Sequence, residues 1–263
     1  MHKIGILIRK EWSEVFKNRL VLGTVGFMPL MLTAMPLVLL RVMGGAGGLG
    51  DVGTSDMPAS FARLCEGLSG AECAQYFIVT EFLLLYMLMP LMIPVTIAAY
   101  SIVGEKSTRT LEPLLATPIT TVELLAGKGL AAALPAVAAT WLSFGVFALG
   151  ARLLGVGPGL LAKLVDPMWL IAIFIVGPLL AVASVSFAVM ISSRVNEPRV
   201  AEQLAGLVVL PLLALFFGQV SGLILLNSAL VLWMALGLLV LDAGLLAFAV
   251  QLFQRESILT RWK

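Results

Sequence analysis

Residues 77–103 read FIVTEFLLLYMLMPLMIPVTIAAYSIV, and Glu81 is the only charged side chain among them. The hydrocarbon core of a bilayer is about 30 Å thick, and a helix rising about 1.5 Å per residue crosses it in about 20 residues. This stretch is long enough. Its apolar residues are continuous rather than alternating, which suits a lipid-embedded helix and not a transmembrane strand. Five more stretches of the same kind lie at 20–40, 124–149, 168–191, 204–226 and 230–253. Together they predict an all-α polytopic membrane protein with six transmembrane helices.

The composition agrees. Of 263 residues, 60% are hydrophobic and 12% charged, whereas soluble domains carry about 25% charged residues. A soluble enzyme is excluded, and the connections are too short for a second folded domain of ordinary size. Residues 1–263 therefore read as one transmembrane domain. The net charge of +2 is too small to suggest nucleic acid as a partner. Of the seventeen lysines and arginines, Arg41, Arg63, Arg152 and Lys163 fall on one side of the spans; the rest fall on the other, with both termini. Positive residues favour the cytoplasmic side, so both termini are expected there.

Each of the first five spans contains proline: Pro29 and Pro36, Pro90 and Pro94, Pro135, Pro178, and Pro211. In lipid, a neighbouring helix, a hydroxyl or a water can satisfy the carbonyls that proline releases. The prolines read as packing kinks or, alternatively, as hinges of a pathway.

Residues 1–19 hold Ile4, Ile8, Trp12 and Phe16 at four-residue steps, with Leu7 and Val15 alongside and Arg9, Lys10, Glu14 and Lys17 opposite. This pattern predicts a helix lying in the membrane interface, apolar face in lipid. Glu11 and Glu14 argue against a signal peptide. The longest connection, 41–76, is expected outside. It has a glycine-rich run, a helix start at Asp56–Pro58, and a capping box of Ser69 with Glu72 that would start a helix near Gly70. The only two cysteines, Cys65 and Cys73, both fall here, where disulfides persist, and are expected to pair. Two thiols without a nearby histidine are too few for a metal site.

Residues 104–128, GEKSTRTLEPLLATPITTVELLAGK, carry Glu105, Lys106, Arg109 and Glu112, then Leu111, Leu114 and Leu115. Thr117–Pro118 interrupts the chain, and Thr120 with Glu123 makes a capping box for the third span. A leucine patch rimmed by charge reads as a docking surface or as a segment resting on headgroups. No phosphate-binding loop is present: Lys106 follows Glu105 instead of glycine, and Gly129 follows Lys128 where a hydroxyl is needed. The only histidine is His2, and there is no GxSxG or HExxH pattern, so hydrolase chemistry has no support. Within the spans, Asp242 and Glu81 read as pathway contacts or as structural carboxylates bonded across helices. Thr140, Ser143, Ser184 and Ser186 are candidate partners for Asp242, and Gln219 with Asn227 a candidate external gate.

The run Glu105-Lys106, Thr110-Leu111-Glu112, Leu114-Leu115, Thr117-Pro118, Glu123 and Gly127-Lys128 resembles the signature of ABC-2-type transporter permeases. Residues 192–199 (SSRVNEPR) and 253–263 (FQRESILTRWK) also resemble this family, particularly its sodium-efflux-like branch, though the external loop is much smaller. The resemblance implies a prokaryotic plasma-membrane exporter in which two six-span subunits, identical or related, form the pathway among lipid. The permease holds no cofactor; a separate cytosolic ATPase binds ATP and magnesium. Residues 104–122 would be the coupling segment, with Glu105, Lys106, Arg109, Leu111, Glu112, Leu114, Leu115 and Pro118 meeting the ATPase. The stretch around Arg194, Asn196, Glu197 and Arg199 would be a second contact, with Asn196 capping the fifth span. Two other readings are an ion-coupled secondary transporter using Asp242 and Glu81, and a membrane anchor that moves no solute.

Overall fold

The structure, a computed structural model, describes residues 2–17, 19–44, 61, 65, 68, 70–107 and 119–252. Regular structure among them is helical throughout: α1 (His2–Val15), α2 (Arg19–Gly44), α3 (Gly70–Tyr86), α4 (Leu88–Ser107) and α5 (Thr121–Leu153). Then come α6 (Pro158–Leu164), α7 (Pro167–Ile171), a π-helical turn (Ala172–Val176) and α8 (Gly177–Arg194). The chain continues through α9 (Pro198–Ala205), a 3₁₀ turn (Gly206–Val209), α10 (Leu210–Val220) and α11 (Ser228–Leu252). Among the described residues, six helical stretches are long and apolar enough to cross a membrane: Val21–Gly44, Glu72–Glu105, Val122–Leu153, Pro158–Arg194, Pro198–Val220 and Ser228–Gln251.

The second span is the central post. Its most apolar window is 78% buried inside the protein, against 11%, 22% and 17% for the first, fifth and sixth. Those three spans turn Phe27, Leu30, Phe217, Trp233 and Val240 outward, where lipid would satisfy them at no cost. Cys65 and Cys73 form a disulfide with Cα atoms 5.3 Å apart, and α3 begins at Gly70 as expected. Ser69, the glycine-rich run and the Asp56–Pro58 helix start lie outside the described residues.

The fifth span differs from its expected bounds. It starts at Pro198, six residues before the first long apolar run, and ends at Val220. The helix tolerates its early charge because Glu202 accepts a 2.7 Å hydrogen bond from Thr96 of α4. Its N-cap is Glu197, without a side-chain capping bond, and Pro198 occupies the first turn. Proline suits that turn because the missing N–H would lack a partner there anyway. Asn196, the expected cap, therefore lies one residue before the cap. Asn227, expected at an external gate, caps α11 by accepting from the Leu230 amide at 2.8 Å.

The carbonyls released by Pro94 and Pro135 find donors on other helices. Pro135 lacks the N–H that would reach Ala131, and that carbonyl accepts from Trp12 Nε1 of α1 at 2.9 Å. Pro94 likewise frees the Pro90 carbonyl, which Ser184 of α8 approaches at 3.1 Å while also facing its own Ala181 carbonyl at 3.0 Å. In the π turn, the Gly177 amide reaches back to Ala172. The Ile173 carbonyl thus passed over accepts from Trp141 Nε1 of α5 at 3.1 Å. Pro211 frees Leu207, whose carbonyl takes the Leu210 amide in the 3₁₀ turn. Each irregularity is a local exchange of partners, as a low-dielectric surround demands.

Trp12→Phe and Trp141→Phe keep the ring and delete the donor. Each should lower stability in detergent by about 1 kcal/mol, the scale of interhelical hydrogen bonds in membranes. Reversible denaturant unfolding measures this, and unchanged stability in both would contradict the exchange of partners.

Candidate functional site

The start of α5 is set by a complete capping box. Thr120 Oγ1 accepts from the Glu123 amide at 3.2 Å, and Glu123 Oε2 accepts from the Thr120 amide at 2.9 Å. Lys128 follows two turns into the helix. Next to it, Gly127 makes a notch for α1: a Cβ there would overlap the Leu7 side chain. With Leu7 seated and Trp12 bonded to Ala131, α1 lies along the first turns of α5.

Between these contacts sits a buried ionic cluster. Lys128 Nζ is 2.9 Å from Glu11 Oε1 of α1, 2.7 Å from Glu105 Oε2 at the end of α4, and 2.8 Å from Ser101 Oγ. Ser101 donates to Glu11 Oε2 at 2.6 Å, and Lys10 Nζ lies 2.6 Å from Glu105 Oε1. The Lys128 side chain is 5% exposed and those of Glu11 and Glu105 are 2% and 7%. Two lysines face two buried carboxylates, which balance, and the exposed Glu14 adds a third carboxylate 3.5 Å from Lys10. That balance matters, because a buried charge stripped of one partner costs about 3–5 kcal/mol.

This geometry corrects two expectations. The buried stripe of α1 is Leu7–Glu11–Val15, so Leu7 and Val15, expected to face lipid, pack against the protein instead, while Phe16 stays exposed. Glu11 is buried because it has cations to meet, a reason that hydrophobic periodicity does not register. Glu105, expected among docking residues exposed to a partner, points inward to Lys128 and Lys10. The cluster joins the two stems of 108–118, the stretch between α4 and α5. Arg109, Leu111, Glu112, Leu114, Leu115 and Pro118 lie outside the described residues, as does the Lys106 side chain. Arg194, Asn196, Glu197 and Arg199 form an exposed turn between α8 and α9.

Electrostatics stabilise the cluster across the neutral range. Burial pushes the Glu11 carboxyl up, but the Lys128 charge, the Ser101 and Lys128 hydrogen bonds and Lys10 outweigh it and hold it below its ordinary value. Burial pulls Lys10 down, but its bond to Glu105 and the charges of Glu105, Glu11 and Glu14 raise it above its ordinary value. The Glu11 contribution is therefore present above the unfolded value of 4.5 and lost as pH falls through the lower folded one. The Lys10 contribution is present below 10.5 and lost as pH rises through its higher folded value.

The candidate pathway residues separate into two places. Glu81 of α3 and Gln219 of α10 are buried and meet, with the amide beside the carboxyl, although neither Glu81 oxygen has a hydrogen bond of full geometry. Asp242 lies apart on α11, 4% exposed, with neither oxygen hydrogen-bonded. None of its expected partners, Ser143 included, reaches it: Thr140 bonds Ala136, Ser184 is used at Pro90, and Ser186 has no partner among the described residues.

Residues 6–233 match the family described as ABC-2 family transporter protein. The chain belongs to the ABC-2 transporter family. Residues 104–128, which carry the resemblance in the sequence, lie inside the matched region. The match does not separate the sodium-efflux-like branch from others. No curated protein matches the sequence. In this ABC-2 permease, the family's transmembrane component, the ionic cluster is the feature least apparent in the sequence. Lys10 and Glu11 read as part of an interfacial helix, and Ser101 as one more small residue in a span.

Lys128→Ala should cost about 3–5 kcal/mol, because it leaves Glu11 and Glu105 buried with like charge. Lys3→Ala, at an exposed 3.9 Å pair, should cost little. Thermal unfolding in detergent compares them; equal losses would show that the cluster is not buried. A spin label at Ser13→Cys on α1 should stay immobile at neutral pH and loosen as pH falls below the ordinary carboxylate range. Loosening already at pH 7 would contradict the depressed Glu11.

Proposed function

We propose that this chain is the membrane half of an ATP-driven exporter, paired with a second permease copy or a related permease, in the plasma membrane of a prokaryote. Both termini, α1 and the 108–118 stretch lie in the cytoplasm, in keeping with the distribution of lysine and arginine. ATP and magnesium bind in a separate ATPase, and this chain hydrolyses nothing.

The observation that carries the reading, beyond family membership, is the Lys128 cluster. It fixes the end of α4, the start of α5 and the whole of α1 to one another at the base of 108–118. A partner that displaces 108–118 then moves three helices together instead of bending one loop. Leu111, Leu114 and Leu115 are the apolar anchors for the ATPase, with Lys106, Arg109, Glu112 and Pro118 at their rim. The exposed Arg194–Arg199 turn is the second contact. Glu105 acts through its lysines, as a positioning residue. α1 also rests against lipid headgroups through Arg9 and Lys17.

A mild-detergent pull-down of the tagged chain from its native membranes tests this directly. A stoichiometric ATPase should co-purify, and it should be lost when Leu114 and Leu115 become aspartate. Lys128→Met should keep the ATPase bound yet lower transport-linked ATP turnover about tenfold or more, since it loosens the stems and spares the docking leucines. A chain that purifies alone would overturn the exporter reading. Full turnover in Lys128→Met would overturn the coupling role of the cluster.

A further inference from the structure

Three of the six spans leave regular α-helix around the same cavity. The second breaks at Met87, between α3 and α4; the fourth has its π turn; the fifth has its 3₁₀ turn. Met87, Ala172, Val176 and Val208, all from these irregular places, line a cavity of about 360 Å³ that also borders α11. Its lining is apolar throughout and includes no lysine or arginine. The volume falls within the range of small-molecule sites, about 300–1,000 Å³. Irregular turns inside helices recur at functional sites because they trade regularity for local freedom.

No acidic residue among those described lines the cavity itself; three buried polar groups stand one helical turn beyond its lining. Leu84 and Leu215 line it. Glu81 lies three residues before Leu84, and Gln219 four after Leu215, so each stands one turn from a lining residue on the same helix face, toward the disulfide. Asp242 stands in the same relation to Leu238 at the opposite end. Glu81, Gln219 and Asp242 are 8%, 2% and 4% exposed. The oxygens of both carboxylates and of the Gln219 amide have no hydrogen bond of full geometry. Glu81 has the Gln219 amide beside it, and the Gln219 and Asp242 oxygens have no donor among the described residues, in a place where an unsatisfied acceptor is costly.

We propose that this cavity binds a cationic amphiphile, with its apolar body against Leu84, Trp169 and Leu215 and an ammonium head donating N–H groups to Glu81 and Gln219. A carboxylate or phosphate head would meet acceptors instead of donors at either end, with no basic side chain in the lining to pair with it. A wholly apolar molecule would fill the cavity and leave the acceptors unpaired. An ammonium supplies both the charge and the donors. Under the exporter reading, on which this assignment of cargo rests, such amphiphiles are the transported class. Binding itself needs neither the ATPase nor ATP.

Trp169 lines the cavity and is 2% exposed, so it serves as a reporter. The purified permease in lipid nanodiscs is titrated with 12-bromododecylamine, 12-bromododecanol and 12-bromododecanoate, with tryptophan quenching as readout. The Trp169→Phe protein supplies the baseline for lipid-facing tryptophans such as Trp233. The amine should quench Trp169 at least tenfold more tightly than the carboxylate. Glu81→Gln should erase that preference while the alcohol quenches as before, which shows that the fold and cavity are intact. Equal quenching by all three probes, or an unchanged preference in Glu81→Gln, would overturn the proposal. A co-purifying ATPase with no amine preference would leave the exporter reading standing and remove this site. Amine preference in a chain that purifies alone would do the reverse.

Discussion

Everything on the α1 side of this protein depends on a lysine held out of water between two glutamates from different helices. Lys128 makes contact with Glu11 and Glu105 at under 3 Å, and neither carboxylate could be buried without it. Such a pair contributes less net stability than its distances suggest, because desolvation offsets much of the attraction. Its consequence is geometric. Charges in low dielectric tolerate few alternative arrangements, so α1, the end of α4 and the start of α5 are fixed in register. Leu7 over Gly127 and Trp12 on the Ala131 carbonyl extend the same contact with apolar packing and one hydrogen bond.

Toward the disulfide side the design is the opposite. There the spans are softened, not clamped: the π turn, the 3₁₀ turn and the break at Met87 interrupt three helices where they surround one apolar cavity. Each interruption lies within a few residues of a proline, and each exposed carbonyl that can be traced has found a donor. A rigid base and a compliant upper half suit a machine that receives force at one end and reshapes a cavity at the other. The disulfide between Cys65 and Cys73 ties the connection that precedes α3 to its first turns.

Six apolar stretches, the Thr120–Glu123 capping box, the disulfide and the family are all legible in the amino-acid sequence. They follow from local pattern, because lipid imposes a strong and simple rule on sequence. The start of the fifth span is not legible in this way, because Glu202 looks like a boundary until Thr96 is seen bonded to it. Glu11 is hidden for a related reason: burial of a charge depends on partners 90 and 117 residues away, which no window along the chain contains. The meeting of Glu81 with Gln219 is equally non-local. Hydropathy identifies which residues enter the membrane; it carries no information on which polar residues meet there.

The most direct test of the clamp is a distance measured in the working complex. Spin labels at Ser13→Cys on α1 and Val122→Cys on α5 are both at exposed positions, and the native cysteines are tied up as a disulfide. Pulsed electron paramagnetic resonance would record that distance with the ATPase bound, without nucleotide and with a non-hydrolysable ATP analogue. A third label at Leu239→Cys on α11 provides a reference. One rigid body predicts a narrow Ser13–Val122 distance that is the same in both states, while Ser13–Leu239 changes. A Ser13–Val122 distance that broadens or shifts on nucleotide binding would mean that α1 and α5 move separately, and that the Lys128 cluster does not carry the motion.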